Sequence, residues 1–190
     1  RFAFIPLHAS GDTVDNDGNG KTDDFVGWDV TENDALPYDT LPNAFDDKGH
    51  GTSVAVLAVK GSRHLRFIPV RVDLSGHISD SDTDQQLAKA TEYAISRGCR
   101  VINFSLGMLQ IPQRLSKLIQ RPPEVLFVAA AGNDGNNTDT RPHYPSSLKH
   151  PNLLVATVYN PEADNLRFPL DRKSGGFPAH ANYGKKSVEV

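Results

Sequence analysis

Three short stretches of this chain are apolar at nearly every position, a pattern typical of strands buried inside a parallel sheet. These stretches are residues 101–104, 125–130 and 153–158. A fourth stretch, residues 65–72, alternates between apolar and polar side chains, which predicts a strand with one buried face.

Helical segments separate the predicted strands. One helix is predicted from His50 to about Val59, ended by Gly61, with His50 at the mouth of a buried helix. Apolar residues recur at helical spacing over 85–97, after acidic residues that can cap a helix, and a third helix is predicted around 115–119 between prolines. Strands that alternate with helices predict an α/β fold: a three-layer, doubly wound, mostly parallel sheet with helices on both faces.

Composition restricts the functions open to this sequence. The 190 residues fit a single domain over 1–190, which we divide into an acidic insert loop at about 12–30 and a core at about 45–190. A net charge of −3 gives no basic surface for nucleic acid. No apolar run is long enough to span a bilayer. The single cysteine, Cys99, precludes a disulfide within the chain.

Three short segments of the chain contain residues that indicate a catalytic function when they are considered together. Gly-His-Gly-Thr-Ser-Val-Ala occupies 49–55, Ser-Leu-Gly occupies 105–107, and Val-Ala-Ala-Ala-Gly-Asn-Asp-Gly occupies 128–135. In this order they resemble the histidine box, the substrate strand and the oxyanion segment of the subtilisin-like serine proteases, the subtilases. The resemblance extends from about residue 15 to the C-terminus. It implies a subtilisin-like fold and the hydrolysis of peptide bonds.

The resemblance also assigns a role to each segment. It implies that His50 is the general acid/base, a task that suits an imidazole with its ordinary pKa of about 6.5. It implies that the Asn133 amide donates to the oxyanion of the tetrahedral intermediate. The implied substrate-binding residues are Ser105, Leu106 and Gly107 on a strand edge and Ala130, Ala131 and Gly132 on the facing wall of the specificity pocket. Taken singly, the segments are also consistent with a structural histidine, a strand end and an ordinary turn.

An acidic loop near the N-terminus is similar to the first half of an EF-hand loop. Its oxygen ligands for calcium would be the side chains of Asp15, Asp17, Asn19 and Asp23 and the carbonyl of Lys21. Val26 replaces the bidentate glutamate of an EF-hand, although many subtilases resemble this loop in carrying an acidic insert there. A structural calcium ion and a solvated acidic turn are both consistent with the loop, and no organic cofactor is expected. The other histidines, including His143 and His150, show no metal-ligand spacing and are expected at the surface.

Two members of the family's catalytic triad lack a clear counterpart. The orienting aspartate of the family stands in an Asp-Thr-Gly or Asp-Ser-Gly turn, and the nearest substitute, Asp12, is followed by threonine but not by glycine. Ser53 lies in Gly-Thr-Ser-Val-Ala, yet it belongs to the histidine helix and lacks the proline of the family's serine box. We therefore expect a chain truncated at both ends that is inactive by itself.

The leading interpretation is a parent protein that acts as a serine endopeptidase through an acyl-enzyme. The alternative is an inactive homologue that binds a peptide or a partner protein in the same groove, and the flanking sequence would distinguish the two. A calcium-stabilised α/β domain unrelated to proteolysis would depend on the acidic loop alone. The family implies a polypeptide substrate and an extracellular or periplasmic location, while the sequence predicts no oligomeric state.

Overall fold

The computed structural model describes residues 13–38, 49–74, 79–158 and 181–188 of the chain. The tertiary contacts divide the chain into two units, residues 1–98 and 99–190, and each unit is described by itself. No helix among the described residues is long and apolar enough to cross a membrane.

The first unit contains a two-stranded parallel sheet of β1 (Trp28–Asp29) and β2 (Val70–Arg71). A buried ion pair joins the two strands, with Arg71 Nη1 2.7 Å from Asp29 Oδ2. The other oxygen, Asp29 Oδ1, accepts hydrogen bonds from two backbone N–H groups of the turn that follows β1. Only the end of the predicted strand 65–72 is paired, because its earlier residues Leu65 and Phe67 are exposed and make no ladder.

Helix α1 (His50–Val59) has the predicted bounds, but it is not the buried helix that the sequence indicated. It begins after Gly49, whose φ of 89° is left-handed, and no side chain caps its N-terminus. None of its ten residues is buried, and Leu57 is 68% exposed. The prediction of a buried helix was therefore wrong for this helix as it stands in the structure.

Helix α2 (Asp80–Ser96) begins five residues before the predicted start at 85. The cause is Ser79, whose Oγ accepts from the N–H of Asp82 at 3.2 Å and so satisfies one of the free amides of the first turn. The helix buries one face, on which the Tyr93 ring lies 6.2 Å from the ring of Trp28. A left-handed glycine, Gly98, follows the C-terminus.

The second unit contains β3 (Val101–Phe104), α3 (Gln113–Ile119), β4 (Leu126–Ala130) and β5 (Leu153–Ala156). The three strands form a parallel sheet in the order β3-β4-β5. Alternate strand residues are buried on one face, namely Ile102, Phe104, Phe127, Ala129, Leu153 and Val155. The other face is more open, since Val101 is 59% exposed. The parallel strands, with α3 between β3 and β4, confirm the predicted α/β fold class.

Candidate active site

The carboxyl ends of β3, β4 and β5 meet at one edge of the parallel sheet, which is where α/β sheets usually bind ligands. A cavity of about 240 Å³ opens at this edge. It is lined by Asn103 of β3 and Ser105 directly after it, by residues 128–133 of β4 and the following loop, and by residues 156–158 at the end of β5 and beyond. The predicted residues that lie around this one cavity are Ser105, Ala130, Ala131, Gly132 and Asn133.

Asn133 lies in a sharp turn directly after β4. Ala131 is buried and its N–H donates to the carbonyl of Ala156 at 2.8 Å, so the turn begins from a fixed point of the sheet. Gly132 follows with a φ of 103°, a conformation that L side chains rarely adopt. The Asn133 side chain is then exposed, and within the described part of the chain its amide has no hydrogen-bond partner. The amide is therefore free to donate to a ligand in the cavity.

The loop that carries Asn133 is held by a second asparagine that sequence reasoning missed as a site residue. Asn182 is 1% exposed, and its Oδ1 accepts from the N–H groups of Asp134 and Asn136 at 3.0 and 2.9 Å. Its Nδ2 donates to the carbonyl of Ala131 at 2.9 Å. Asp134 and Asn182 are 48 residues apart in sequence, so no local spacing signals this contact.

The substrate strand predicted at 105–107 leaves β3 at the same edge. The Oγ of Ser105 accepts from Asn103 Nδ2 at 2.9 Å. After Leu106 and Gly107, the next residue pairs with Tyr144 through two backbone hydrogen bonds of 2.9 Å. Residues 105–107 thus lie between the end of β3 and an anchored bridge.

A half-buried histidine, His143, lies against both glycine turns of this edge. A Cβ atom placed on Gly107 would be 1.8 Å from His143 Cε1, and one placed on Gly132 would be 2.9 Å from the same atom. Burial lowers the pKa of His143, although the nearby Asp134 carboxylate acts to raise it. Nδ1 is buried and has no hydrogen-bond partner in the described residues. The expectation of a surface position was wrong for His143, whereas His150 is partly exposed, although burial lowers its pKa as well.

His50, the predicted acid/base, is the first residue of α1 in the first unit and is exposed to solvent. An exposed imidazole at a helix start is accessible to a reacting group. Asp12, the substitute for the orienting aspartate, lies outside the described residues.

The acidic loop of the first unit is held together by its own hydrogen bonds. The Asp15 carboxylate accepts from the backbone N–H groups of Gly18, Asn19 and Gly20 at 2.8 to 3.2 Å. These N–H groups, that of Gly20 foremost, lower the pKa of Asp15. Asn19 Nδ2 in turn donates to carboxylate oxygens of Asp17 and of the buried Asp24. The loop is thus held by hydrogen bonds between its own side chains and backbone.

A cation of the chain already neutralises part of this loop. The guanidinium of Arg97 forms an ion pair with Asp24 and lies 3.5 Å from Asp17 Oδ2. Lys21 Nζ lies 4.3 Å from the centre of the Trp28 ring. Asp23 Oδ1 is available to a cation, since it is buried and has no partner among the described residues. No group of three or more His, Cys, Asp or Glu in the described ranges is arranged to hold a metal.

Comparison with known families decides what this arrangement belongs to. The family model described as the Subtilase family matches residues 12–180, most of the chain. The chain belongs to the subtilase family. The resemblance drawn from the three sequence segments is confirmed.

Individual relatives of this subtilase are proteases from bacteria and archaea. It is 34% identical to the cell wall-associated protease of Bacillus subtilis (strain 168) over 60% of the chain and 13% of that protein. It is 30% identical to thermitase of Thermoactinomyces vulgaris over 70% of the chain and 48% of that protein. It is 33% identical to halolysin of Haloferax mediterranei over 66% of the chain and 24% of that protein. The chain thus spans less than half the length of each of these relatives.

A solved structure supports the fold of this subtilase. The crystal structure of a lanthipeptide protease matches 86% of the chain and 46% of its own chain, with a TM-score of 0.55 and 23% sequence identity. At this identity the likeness concerns the fold alone, and it confirms the predicted subtilisin-like α/β architecture.

Proposed function

We propose that the chain supplies the acid/base and the oxyanion donor of a serine endopeptidase that hydrolyses peptide bonds through an acyl-enzyme. Membership of the subtilase family establishes a protease domain. The observation that carries the finer proposal is the unpaired Asn133 amide at the cavity beyond β3, β4 and β5. The amide is exposed at this edge and makes no hydrogen bond to the described residues, so it can donate to a ligand in place of water.

The reaction needs a serine hydroxyl, whose proton His50 takes as the hydroxyl oxygen attacks the carbonyl carbon of the substrate. The carbonyl oxygen becomes an oxyanion, and the Asn133 amide donates a hydrogen bond to it. His50 then returns the proton to the leaving amine as the acyl-enzyme forms. In the second half of the reaction, water gives a proton to His50 and attacks the acyl-enzyme carbonyl, and His50 returns the proton to the serine oxygen as the acid product leaves. The serine box of the family has no counterpart in these 190 residues, so the proposal assigns the nucleophile to the full-length protein.

The substrate is proposed to be an extended polypeptide that adds a strand to the edge formed by residues 105–107. The anchored bridge after Gly107 fixes this edge, and Ser105 borders the same cavity as residues 130–132. Small side chains at 130–132 leave space between the edge and the facing wall. One side chain of the substrate would occupy this space.

The role of His50 is tested by measuring hydrolysis of a fluorogenic peptide by the full-length protein. His50→Ala should reduce kcat by several orders of magnitude, because no other base replaces the imidazole. His64→Ala is the matched control, since His64 is an exposed histidine of the same unit and has no proposed role. Equal activities of the two variants would refute the assignment.

The role of Asn133 is tested in the same assay. In a subtilisin, removal of one oxyanion donor lowers kcat by about 100- to 1000-fold, and we expect this range for Asn133→Ala with an unchanged KM. Asn136→Ala is the matched control from the same loop, because among the described residues its side chain bonds only Arg141, at 3.3 Å. Wild-type protein that binds the peptide without hydrolysing it would support the inactive, peptide-binding homologue.

Within these 190 residues the candidate for orienting His50 is Asp12, and the alternative is an aspartate in the family's Asp-Thr-Gly or Asp-Ser-Gly turn outside them. Asp12→Asn keeps the shape of the side chain and removes its charge, so it should lower kcat by orders of magnitude while peptide binding persists. An unchanged kcat would exclude Asp12 from the triad.

An extracellular location is proposed from the relatives, one of which is named a minor extracellular protease.

Calcium binding by the acidic loop is proposed for the ligands Asp15, Asp17, Asn19, Lys21 and Asp23. Hard oxygen donors and the unpartnered Asp23 Oδ1 support it, while the engagement of the loop by Arg97 and by backbone N–H groups weighs against it. Addition of EGTA should lower the Tm of the protein, and Asp17→Ala should abolish this response. A Tm that does not change on chelation would identify a solvated acidic turn.

A further inference from the structure

Asn182 uses the full hydrogen-bonding capacity of its side chain on the loop that carries Asn133. Besides the two bonds accepted from Asp134 and Asn136, its Nδ2 donates to Ala131 O at 2.9 Å and to Asp134 Oδ2 at 3.3 Å. A side-chain amide has two donor hydrogens and an acceptor oxygen with two lone pairs, so all four positions are occupied. The two N–H donors at Oδ1 also fix which way the amide faces.

These contacts lie on both sides of Asn133 in sequence. Before it, the Asn182 N–H donates to the carbonyl of Gly132 at 2.9 Å, next to the bond made to Ala131. After it, Asn182 Oδ1 accepts hydrogen bonds from the backbone N–H groups of Asp134 and Asn136. Asn133 is thus the one residue between 131 and 134 that Asn182 does not bond, and its position follows from its neighbours.

Asn182 is itself attached to the parallel sheet. The hydroxyl of Thr157, directly after β5, donates to the Asn182 carbonyl at 2.7 Å. The adjacent Tyr183 donates to the carbonyl of Asn136 at 3.0 Å and accepts from the N–H of Thr138 at 2.7 Å. The asparagine therefore connects the loop to a rigid part of the second unit.

The space around Gly132 shows how closely the loop packs against the side chain of Asn182. A Cβ atom on Gly132 would lie 2.4 Å from Asn182 Nδ2, well inside van der Waals contact. The loop can approach the amide in this way only because residue 132 is a glycine.

We propose that Asn182 is a positioning residue for the oxyanion donor: it fixes the loop 131–136 so that the free amide of Asn133 is aimed at the cavity. The proposal depends on the proposed function, because Asn133 must be the donor for its position to affect kcat. Preorganised donors act by being in place before charge develops, so a mobile loop costs turnover but not substrate binding.

The test compares Asn182→Ala with Asn152→Ala in the full-length protein. Asn152 is the matched control, because its Nδ2 donates to the carbonyls of Ile119, Pro122 and Val125 in the same unit and does not contact the loop. Asn182→Ala should lower kcat by about tenfold or more, up to the loss for removing the donor itself, with KM within about twofold of wild type. Asn152→Ala should leave kcat unchanged.

A double-mutant cycle separates positioning from general destabilisation. In the Asn133→Ala background there is no donor left to position, so Asn182→Ala should change kcat by less than about twofold. If the two losses multiply, or if Asn182→Ala and Asn152→Ala have equal effects, the proposal is overturned. Should Asn182→Ala not fold, Asn182→Asp serves in the same cycle, since it keeps an acceptor for the N–H groups of Asp134 and Asn136 but loses the donor to Ala131.

Amide hydrogen exchange tests the positioning without using activity. The N–H groups of Asp134 and Asn136 should exchange faster in Asn182→Ala than in wild type, and should be unchanged in Asn152→Ala. Equal protection in both variants would overturn the positioning role even if peptides are cleaved. Absence of peptide cleavage by the wild-type protein, with faster exchange in Asn182→Ala, would instead refute the proposed function.

Discussion

Substitution of Gly107 by alanine gives a direct measure of how closely His143 packs beneath the proposed substrate edge. The added Cβ would lie 1.8 Å from His143 Cε1 and 2.0 Å from Nε2, so the ring has to move by more than an ångström. Overpacking of this kind costs about 1–3 kcal/mol. The loss of backbone freedom in the unfolded chain offsets about 0.4–1 kcal/mol of that cost. We expect Gly107→Ala to lower the free energy of unfolding by about 1–2 kcal/mol.

The assay is urea denaturation at pH 8, where His143 is neutral because burial lowers its pKa, and it is carried out as a double-mutant cycle. In the His143→Ala background the space beside Gly107 is empty, so Gly107→Ala should be neutral or stabilising there. Gly51→Ala is the control, since a Cβ at this helical position meets no atom within 4 Å. It should raise the stability by about 0.5–1 kcal/mol, as expected for glycine replaced in a helix.

Two results would refute this reasoning. Gly107→Ala could be as well tolerated as Gly51→Ala, which would mean that the ring moves aside without cost. Its cost could also be the same with and without the His143 ring, which would place the clash elsewhere.

The remaining predictions concern charge. Burial holds the pKa values of His143 and His150 below the ordinary value of about 6.5, so the unfolded chain binds protons first as the pH falls; stability should therefore decrease from about pH 7.5 to pH 5.5, and His143→Gln should reduce this slope in urea titrations. If His143→Gln left the pH dependence of stability unchanged, a lowered pKa of His143 would not be its cause. Arg97→Ala leaves the buried Asp24 carboxylate without its partner and should cost about 2–3 kcal/mol, somewhat less than for a fully buried pair, because Arg97 is 20% exposed. The surface variant Arg121→Ala should change the free energy of unfolding by less than about 0.5 kcal/mol, and equal effects of the two would exclude a stabilising role for the pair.

The elements of the second unit follow closely from the sequence pattern. The strand 101–104 has its predicted bounds because three of its four residues are apolar and an arginine and a serine enclose it. The helix α2 shows the limit of such reasoning. Its apolar spacing predicts a start at 85, whereas Ser79 extends it by capping the first turn, and capping depends on one side chain rather than on periodicity.

Only the parts of the candidate site that directly follow the strands in sequence were predicted. Asn133 and Ser105 follow buried strands, and parallel pairing brings strand ends to one edge, so their meeting at the cavity could be predicted. His143 and Asn182 could not, because each reaches the site from a distant part of the chain. At Gly107, the atoms nearest to an added Cβ belong to the His143 ring. The sequence shows that residue 107 is a glycine, but it does not show that His143 packs against this position.

Two asparagines at this edge show opposite use of the same side chain. Gly132 and Gly135 flank the loop residues 133 and 134, and fixing each backbone residue costs about 1–2 kcal/mol of conformational entropy. The hydrogen bonds that Asn182 makes contribute about 1 kcal/mol each, which is the same order as the cost of fixing the loop. Because Asn182 supplies these bonds, Asn133 does not have to spend its own amide on holding the turn. The buried, fully bonded asparagine is thus the reason that the exposed one can remain unpaired, and an unpaired, fixed donor is what an oxyanion requires.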